Sequence, residues 1–410
     1  MTYGSRGDVE PFIALGQRFH QRGHMVRLAA PAKFGPFARA KALDFAPLPG
    51  DPDQLVAGFV QRAGRNPVRM LSVMSQFALP VGAQVLETLQ VVCRDTDLIV
   101  HSFLLTNAGY ELARQQGIAD ISAQLFPMFS TTGDFPAVAF PELPLGAAYR
   151  RLSHWLTTQI FWQGSRLVYH QVRRSHPHLP PLSGWPFHGP EQSRTPILYG
   201  FSPRVVAPPD DWASDRYVTG YWFLDPDPAW HPPDHLLNFL DAGPAPLYVG
   251  FGSSIMRQPQ QLAQIAIQAL ARTGQRGLLG LANDALDSGQ LPPHIHPVGA
   301  IPHHWLFPRT AAVVHHGGAG TTGAGLRAGV PNIVVPFTTD QPFWGRRVFR
   351  LGAGPRPIPA TKLTTNNLAE AISQAVSDAP MGAKARALGR RIRQEDGTSR
   401  AVTIVEGLWR

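Results

Sequence analysis

The chain has 410 residues, of which 44% are hydrophobic and 16% are charged, and its formal net charge is +9. This length predicts two or three domains, each large enough to bury a core, and the composition excludes a disordered chain or a single small module. With Cys93 as its one cysteine, the chain can form no intramolecular disulfide and no cysteine-based zinc site, which favours a reducing, cytoplasmic compartment.

Arginine supplies most of the positive charge, and the sequence has no long basic run interleaved with aromatic side chains. We therefore expect no nucleic-acid partner. The sequence also lacks a long apolar stretch and a basic N-terminal region followed by an apolar core. We expect neither a membrane-spanning helix nor a signal peptide.

The first predicted elements form a strand-turn-helix-strand unit. The chain opens on the turn Gly-Ser-Arg-Gly-Asp at 4–8, so a strand before it retains only its last residues. An apolar stripe at helical spacing follows, formed by Phe12, Leu15, Gly16 and Phe19. Short apolar runs at 25–30 and 97–101 then predict strands. Such units build parallel sheets with ligand sites at the carboxyl ends of their strands.

The segment 147–176 mixes apolar and aromatic side chains with five arginines and predicts a basic amphipathic helix. Such a helix could lie on an anionic membrane surface. It could equally cap the first domain and wall a ligand pocket there, and we favour this second interpretation. A peripheral contact at the inner face of the membrane stays open for a protein that we expect in the cytoplasm.

Prolines and aspartates interrupt the pattern between 202 and 233, which is typical of a linker. A buried strand at 247–251, a turn and a helix stripe then repeat the organisation of the first half. We predict an N-terminal Rossmann-like domain at 1–205, a linker at 206–233 and a second Rossmann-like domain at 234–410. Whether the last helix packs back on the first domain stays open. A cleft between two such domains is a preferred place for ligands.

The strongest local signal is a buried strand that runs through a glycine-rich turn into a helix, at 311–322. Glycines let a backbone approach a ligand closely, and the free N–H groups and dipole of a helix N-terminus favour an anion such as a diphosphate. His316 and Thr321 add side-chain donors at the same place. On its own, the turn could equally serve tight packing.

A second strand ends on polar residues at 334–342. There the carboxylate of Asp340 stands beside the amide of Gln341, a pair suited to sugar hydroxyls. The carboxyl ends of parallel strands meet at one edge of a sheet. Phosphate donors and hydroxyl-binding groups on the two turns together indicate a nucleotide sugar.

These motifs resemble the donor-site signature of the sterol glucosyltransferases and the antibiotic (glycopeptide and macrolide) glycosyltransferases of the UDP-glycosyltransferase superfamily. The likeness rests on motifs at 4–11, 251–254, 315–322, 329–331 and 340–344. It implies an α/β protein with the glycosyltransferase-B fold, in which two facing Rossmann-like domains enclose an interdomain cleft. The acceptor would bind the N-terminal half, and the donor would bind the C-terminal half.

The resemblance also implies roles for single residues in donor binding. The diphosphate would be held by the glycine-rich turn and by a serine of the opposite loop, the sugar by Asp340 and Gln341, and the base by backbone atoms of 298–302. The residues implied are Ser253, Val298, His316, Gly318, Gly320, Thr321, Thr322, Asp340 and Gln341.

Asp8 matches the position of the general base in the antibiotic enzymes. An acceptor hydroxyl is a poor nucleophile until a base takes its proton, and displacement from the face opposite the leaving nucleoside diphosphate inverts the anomeric carbon. Asp8 could instead only cap the helix that follows it. The turn N–H groups, the helix dipole and His316 would stabilise the leaving diphosphate, so we expect no metal and no other cofactor.

The sequence thus predicts an inverting transferase that moves a hexose to a hydroxyl of a hydrophobic acceptor such as a sterol, terpenoid, polyketide or lipid. UDP-glucose is the first candidate donor, but Ala324 stands where uridine-dependent plant relatives carry a ribose-binding glutamate, which leaves TDP open. Phe103, Phe126 and Met128 are the candidate acceptor contacts. A nucleotide-sugar epimerase of the same fold and a noncatalytic binder of sugar nucleotides or lipids remain alternatives.

Overall fold

The computed structural model describes residues 1–52, 81–177, 179, 182–190, 194–252, 259–280 and 291–409. The chain divides into two compact units. The N unit comprises Met1–Phe201, Pro208–Leu224 and Asp396–Arg410, and the C unit comprises Ser202–Ala207 and Asp225–Glu395. The last helix of the chain therefore belongs to the N unit.

Both units combine parallel strands with helices, as Rossmann-like domains do. The described strands are β1 (Arg27–Pro31), β2 (Asp44–Leu48), β3 (Leu98–Ser102), β4 (Ala119–Gln124), β5 (Ile197–Tyr199), β6 (Arg216–Val218), β7 (Leu247–Gly250), β8 (Gly277–Leu279), β9 (Ile295–Pro297), β10 (Val313–His315) and β11 (Asn332–Val334). The helices with described ends are α1 (Arg6–Gln21), α2 (Gly35–Arg39), α3 (Thr106–Gln116), α4 (Gly146–Ser175), α5 (Asp234–Asp241), α6 (Pro259–Arg272), α7 (His303–Leu306), α8 (Ala319–Ala328), α9 (Gln341–Arg350), α10 (Thr365–Ser377), α11 (Ala379–Arg393) and α12 (Gly397–Trp409). Residues 81–92 are also helical.

The N unit contains a parallel pair, β1–β2, and a four-stranded parallel sheet in the order β3-β4-β5-β6. Met1 and Thr2 connect the β1–β2 pair to the four-stranded sheet. The Thr2 N–H donates to the carbonyl oxygen of Ala29 in β1 at 2.9 Å, and the Ser102 N–H in β3 donates to the Met1 carbonyl oxygen at 3.0 Å. These two residues take the place of the strand expected before the first turn.

Helix α1 packs on the sheet through its predicted apolar stripe, which confirms the helix. The stripe residues are all buried: Phe12, Leu15, Gly16 and Phe19. The strand predicted at 25–30 begins at Arg27, and Met25 lies outside it with its side chain fully exposed. Helix α12 packs against α1, and Arg22 Nη2 lies 2.6 Å from Glu406 Oε2.

Part of the predicted linker 206–233 is a strand. β6 lies within it and pairs in parallel with β5, with Tyr217 opposite Leu198. Trp222 is buried beyond this strand, and its ring centroid lies 6.1 Å from that of Phe12. The prolines and aspartates of the segment belong to the loops around β6, so composition alone concealed the strand.

The C unit is built on a five-stranded parallel sheet in the order β11-β10-β7-β8-β9. Its strands are short and largely buried, which is typical of a parallel sheet covered by helices on both faces. Val314 packs on one face in a core shared with α6 and α10. Val313 packs on the other face with Leu236 of α5 and Phe307. This confirms the second Rossmann-like sheet predicted from the sequence.

Helix α4, with 30 residues, is the longest of the described helices. Its buried side chains include His154, Tyr169 and Val172, so one face packs on the N unit. Within the described ranges, no helix is both long and apolar enough to cross a membrane.

Candidate functional site

Three turns of the C unit converge at the carboxyl edge of its sheet. Because β7, β10 and β11 are adjacent and parallel, the turns that follow them lie side by side. Gly252 follows β7, and a Cβ atom there would lie 3.3 Å from Cε1 of His316, which follows β10. A Cβ on Gly317 would lie 3.1 Å from the carbonyl oxygen of Gln341, beyond β11. The predicted phosphate-binding and sugar-binding turns are therefore in contact.

His315 fixes the shape of the glycine-rich turn. Its Nδ1 accepts a hydrogen bond from the Gly317 N–H at 3.1 Å, so the proton of the neutral ring is on Nε2. The Nε2–H then donates to Asn332 Oδ1 at 3.0 Å, and Asn332 Nδ2 donates to the Val330 carbonyl oxygen at 2.8 Å. Burial lowers the pKa of His315 to about 3, which keeps this ring neutral. Gly317 has φ of +92°, a conformation that favours glycine.

His316 differs from His315, because one of its ring nitrogens has no hydrogen-bond partner among the described residues. Its Nδ1 is buried without a hydrogen bond to any described residue. Burial lowers the pKa of His316 to about 4, so the ring is neutral near pH 7. A Cβ on Gly318 would lie 2.6 Å from His316 Nε2, so only glycine leaves room for the ring. The imidazole can offer one N–H to a ligand.

Helix α8 begins at this turn with an end that no side chain caps. Its N-cap residue, Gly318, has extended backbone angles. In the first turn, Gly320 is exposed and Thr321 is half-buried. Thr322 Oγ1 is buried and lacks a hydrogen-bond partner among the described residues. Uncapped N–H groups and the helix dipole make this end suited to an anion.

The side chains of Asp340 and Gln341 lie on the adjoining turn, but both already have partners. Asp340 Oδ2 accepts a hydrogen bond from the Trp344 indole N–H at 3.0 Å. The buried Gln341 uses its Oε1 to accept from the N–H groups of Phe337 at 2.8 Å and Thr338 at 3.2 Å. These contacts hold both side chains at the sheet edge. Sugar binding by the pair stays a prediction.

The predicted base-binding stretch lies at the far edge of the same sheet. Val298 follows β9, its side chain packs in the core with Phe307, and its N–H donates to the Leu279 carbonyl oxygen at 2.9 Å. Ala324 of α8 packs against the same core and offers no polar group to a ribose. Ser253 lies outside the described residues.

Asp8 of the N unit is the third residue of α1 and lies in its first turn. Its Oδ2 accepts hydrogen bonds from the Ser5 N–H at 2.8 Å and from the Ser5 hydroxyl at 2.9 Å. This is the reciprocal contact of a capping box in which Ser5 is the N-cap and Asp8 is the third helical residue. The sequence placed Asp8 itself at the cap, and the helix begins earlier, so Asp8 supports the cap from within the first turn. The Thr2 hydroxyl donates to the Asp8 carbonyl oxygen at 3.0 Å. The base role of Asp8 stays a prediction.

The candidate acceptor residues belong to an aromatic cluster in the N unit. Phe103 follows β3 and Phe126 follows β4, and their ring centroids are 4.9 Å apart. Met128, two residues after Phe126, is also buried. The members of this aromatic cluster are Phe103, Phe126, Phe129, Phe161, Trp185 and Phe187. Phe161 comes from α4, the segment that we expected to wall a pocket of this domain. Trp185 and Phe187 come from the loop after α4, and the sequence did not mark them because they are distant along the chain.

Other histidines of the described residues serve structural contacts. His101 is buried, and its Nε2 lies 3.0 Å from Asp120 Oδ2. His24 Nε2 lies 3.0 Å from Glu406 Oε1. The ring of His303 stacks on Phe307 at 4.2 Å. Where residues are described, no group of three or more His, Cys, Asp or Glu side chains is placed to hold a metal ion.

Two family models match separate parts of the chain. The model Glycosyltransferase family 28 N-terminal domain matches residues 1–114, and the model Erythromycin biosynthesis protein CIII-like, C-terminal domain, matches residues 278–401. A sterol 3-beta-glucosyltransferase of Pichia angusta is 34% identical over 415 residues, covering 99% of this chain and 33% of that protein. One of Arabidopsis thaliana is 35% identical over 416 residues, covering 98% of this chain and 64% of that protein. The chain thus spans a third of the first relative and less than two thirds of the second.

Solved structures of antibiotic glycosyltransferases share the fold. The glycotransferase of kitacinnamycin has a TM-score of 0.73 at 20% identity, with 100% of this chain and 97% of that chain covered. A glycosyltransferase of Streptomyces sp. SF2575, solved in complex with thymidine diphosphate, has a TM-score of 0.65 at 19% identity, with 99% and 98% covered. The predicted glycosyltransferase-B fold is confirmed. The resemblance inferred from the sequence motifs is confirmed as well, since the chain is similar to sterol 3-beta-glucosyltransferases in sequence and to antibiotic glycosyltransferases in fold.

Proposed function

We propose that the chain is an inverting glycosyltransferase that moves a hexose from a nucleoside-diphosphate sugar to a hydroxyl of a hydrophobic acceptor. Glucose is the first candidate sugar and a sterol the first candidate acceptor, since the relatives at 34% and 35% identity are named sterol 3-beta-glucosyltransferases. UDP and TDP both stay candidate carriers, because Ala324 provides no side-chain contact to the ribose.

The order of three turns along one sheet edge carries the proposal. The base-binding stretch at 298–302 follows β9, the phosphate-binding turn follows β10, and the sugar-binding pair follows β11. Two strands separate β9 from β10, so these turns are roughly 14 Å apart at the usual strand spacing. β11 is the direct neighbour of β10. Base, diphosphate and sugar are also linked in this order in a nucleotide sugar.

The chain's own groups supply the stabilisation of the leaving diphosphate. The uncapped N-terminus of α8 presents backbone N–H groups and the positive end of its dipole. His316 adds a neutral N–H donor at the same turn, and Gly318 keeps the space beside its ring clear. As negative charge grows on the departing phosphate, these donors bind it more strongly than they bind the intact donor. In this proposal no metal ion is needed.

Asp8 accepts the proton of the acceptor hydroxyl as the new glycosidic oxygen–carbon bond forms. The bond between the anomeric carbon and the diphosphate oxygen breaks in the same displacement, and its electron pair leaves with the nucleoside diphosphate. Both Ser5 donors hold one oxygen of the Asp8 carboxylate, which orients the group. Attack from the face opposite the leaving group inverts the anomeric centre.

The half-buried members of the aromatic cluster, Phe103 and Phe161, suit an acceptor with a rigid apolar body, and the buried rings behind them support these two. Flat ring systems pack well against the edges and faces of phenylalanine and tryptophan. Phe129 contacts Phe161, Trp185 and Phe187 at centroid distances of 5.4, 5.1 and 5.4 Å, so the cluster joins α4 to the loops beyond β4. A sterol, terpenoid or polyketide presents such a body, and its hydroxyl is the group to be glycosylated.

The experiment pairs a donor screen with product analysis. Thermal stabilisation is measured with UDP, TDP, UDP-glucose and TDP-glucose, and each donor is then incubated with sterols and other lipophilic alcohols in the presence of EDTA. We expect a mass gain of one hexose on at least one alcohol, with inversion at the anomeric carbon seen by NMR. Interconversion of the sugar without an acceptor would support the epimerase alternative. Stabilisation without any product would support a noncatalytic binder.

A further inference from the structure

The outward face of α4 exposes large apolar side chains, and we call this surface the α4 outer face. Leu152, Trp155, Ile160 and Leu167 are 52%, 55%, 64% and 67% exposed. At 100° per residue, these four positions fall within an arc of about 140° on the helix. The opposite side of α4 is packed, since Phe161 lies in the aromatic cluster and Val172 is buried. The exposed residues therefore lie on the side of α4 that faces away from the core of the N unit.

The charge on α4 is of one sign. The helix has five arginines and no acidic residue among its 30 residues. Arg166 and Arg174 are exposed and fall within the same arc as the apolar side chains. The guanidinium of Arg166 lies 5.7 Å from the ring centroid of Trp162. Arg151, at the border of the face, is paired with Asp211 at 3.1 Å, so Arg166 and Arg174 carry the charge of the face. A partner for this face must therefore be both apolar and anionic.

We propose that the α4 outer face docks on an anionic lipid bilayer. The four apolar side chains would enter the boundary between headgroups and acyl chains, and the arginines would reach the lipid phosphates. The helix is about 45 Å long and would lie in the plane of the membrane. A second copy of the chain is a poorer occupant, because two such faces would bring arginines together with no carboxylate from either α4.

Vesicle co-sedimentation of the full chain tests the proposal. The vesicles contain phosphatidylcholine alone or phosphatidylcholine with phosphatidylglycerol, and no sugar nucleotide or acceptor is added. We expect the wild type to pellet with the anionic vesicles and to be released by high salt. Arg166→Gln with Arg174→Gln should lower the partition coefficient about 30-fold, taking the usual contribution of one basic residue near such a surface. Trp155→Ser with Leu167→Ser should lower it at every salt concentration.

Two matched substitutions in the C unit serve as controls. Val376 is 42% exposed on α10, and Arg390 is exposed on α11. Val376→Ser and Arg390→Gln remove an exposed apolar group and a charge, and both should pellet as the wild type does. Thermal unfolding should be unchanged in every variant, since each replaced side chain is exposed.

Two results would overturn the docking. One is a wild type that stays in solution with anionic vesicles, and the other is α4 variants that pellet as well as the wild type. Sedimentation velocity at several concentrations tests whether a second copy of the chain, and not a bilayer, covers the α4 outer face. Self-association that the Trp155→Ser, Leu167→Ser variant abolishes would assign the face to a second copy and contradict the proposal. None of these readouts depends on the proposed transferase activity.

Discussion

Adjacent histidines at the end of β10 perform different tasks because their ring nitrogens have different partners. His315 uses both nitrogens inside the protein, one toward the Gly317 N–H and one toward Asn332. His316 keeps a buried Nδ1 without a described partner, beside the uncapped start of α8. One residue therefore holds the turn in place, and the other is available to a ligand.

The buried His315 should make the stability of the protein depend on pH. Burial lowers its pKa to about 3, whereas an unfolded histidine titrates near 6.5. Below about pH 6.5 the unfolded state therefore binds a proton that the folded state does not, and stability is lost as the pH falls. Between about pH 6.5 and pH 5 the loss from this residue is about 2 kcal/mol.

His315→Gln tests this linkage, since glutamine keeps hydrogen-bonding groups but cannot titrate in this range. We expect its free energy of unfolding, from urea denaturation, to fall less than that of the wild type on going from neutral to mildly acidic pH. Because His316 also has a lowered pKa, part of the dependence should remain. Parallel curves for the wild type and the variant would contradict the assignment.

Asp8 combines a capping contact with the proposed base role, and two substitutions separate them. Asp8→Asn keeps an acceptor for the Ser5 N–H but removes the base, so kcat should fall roughly 10²- to 10⁴-fold while donor binding persists. Ser5→Ala removes one hydrogen bond to the carboxylate, costs about 1 kcal/mol of stability and leaves kcat within a few-fold. Steady-state kinetics and thermal unfolding of both variants distinguish the base role of Asp8 from its capping contact. If Asp8→Asn turns over normally, the residue is only a cap.

At the level of elements, the function of α8 depends on how its N-cap residue, Gly318, fits against His316. A Cβ on Gly318 would lie 2.6 Å from His316 Nε2, so Gly318→Ala must displace the ring. Affinity for UDP or TDP, measured by calorimetry, should fall about 10- to 100-fold if one charge-assisted hydrogen bond is lost. Gly407→Ala in α12 meets nothing within 4 Å and is the matched control. Equal affinity in the two variants would argue against a ligand at this turn.

The elements that the sequence predicted correctly are those with local signals. The stripe of α1 and the glycine turn before α8 depend on spacing and conformational preference within a few residues, and both are found as expected. The role of Met1 and Thr2 between β1 and β3 depends on partners far along the chain. The same holds for the position of β6 within the predicted linker and for Trp185 in the aromatic cluster. Local patterns carry no information about such distant pairs.

On the scale of the whole molecule, the chain returns to its first unit at the end. After all the strands of the C unit, α12 packs on α1, and Glu406 contacts both Arg22 and His24. Ala401, Val402 and Val405 are fully buried in the same core as the apolar stripe of α1. The N unit is therefore complete only when the last residues of the chain are in place, whereas the C unit has cores of its own.

This topology predicts that a substitution near the C-terminus destabilises the N-terminal half. Val402→Ala removes two buried methyl groups and should lower the stability of the N unit by about 2 kcal/mol. Val376→Ala, at a position 42% exposed in the C unit, should change stability by less than about 0.5 kcal/mol. Hydrogen exchange measured by mass spectrometry resolves the two units. In Val402→Ala, protection should drop in peptides from α1 and β1 and persist in peptides from β7 and β10, because the latter pack in a separate core. Equal loss in both sets would mean that the two units unfold together.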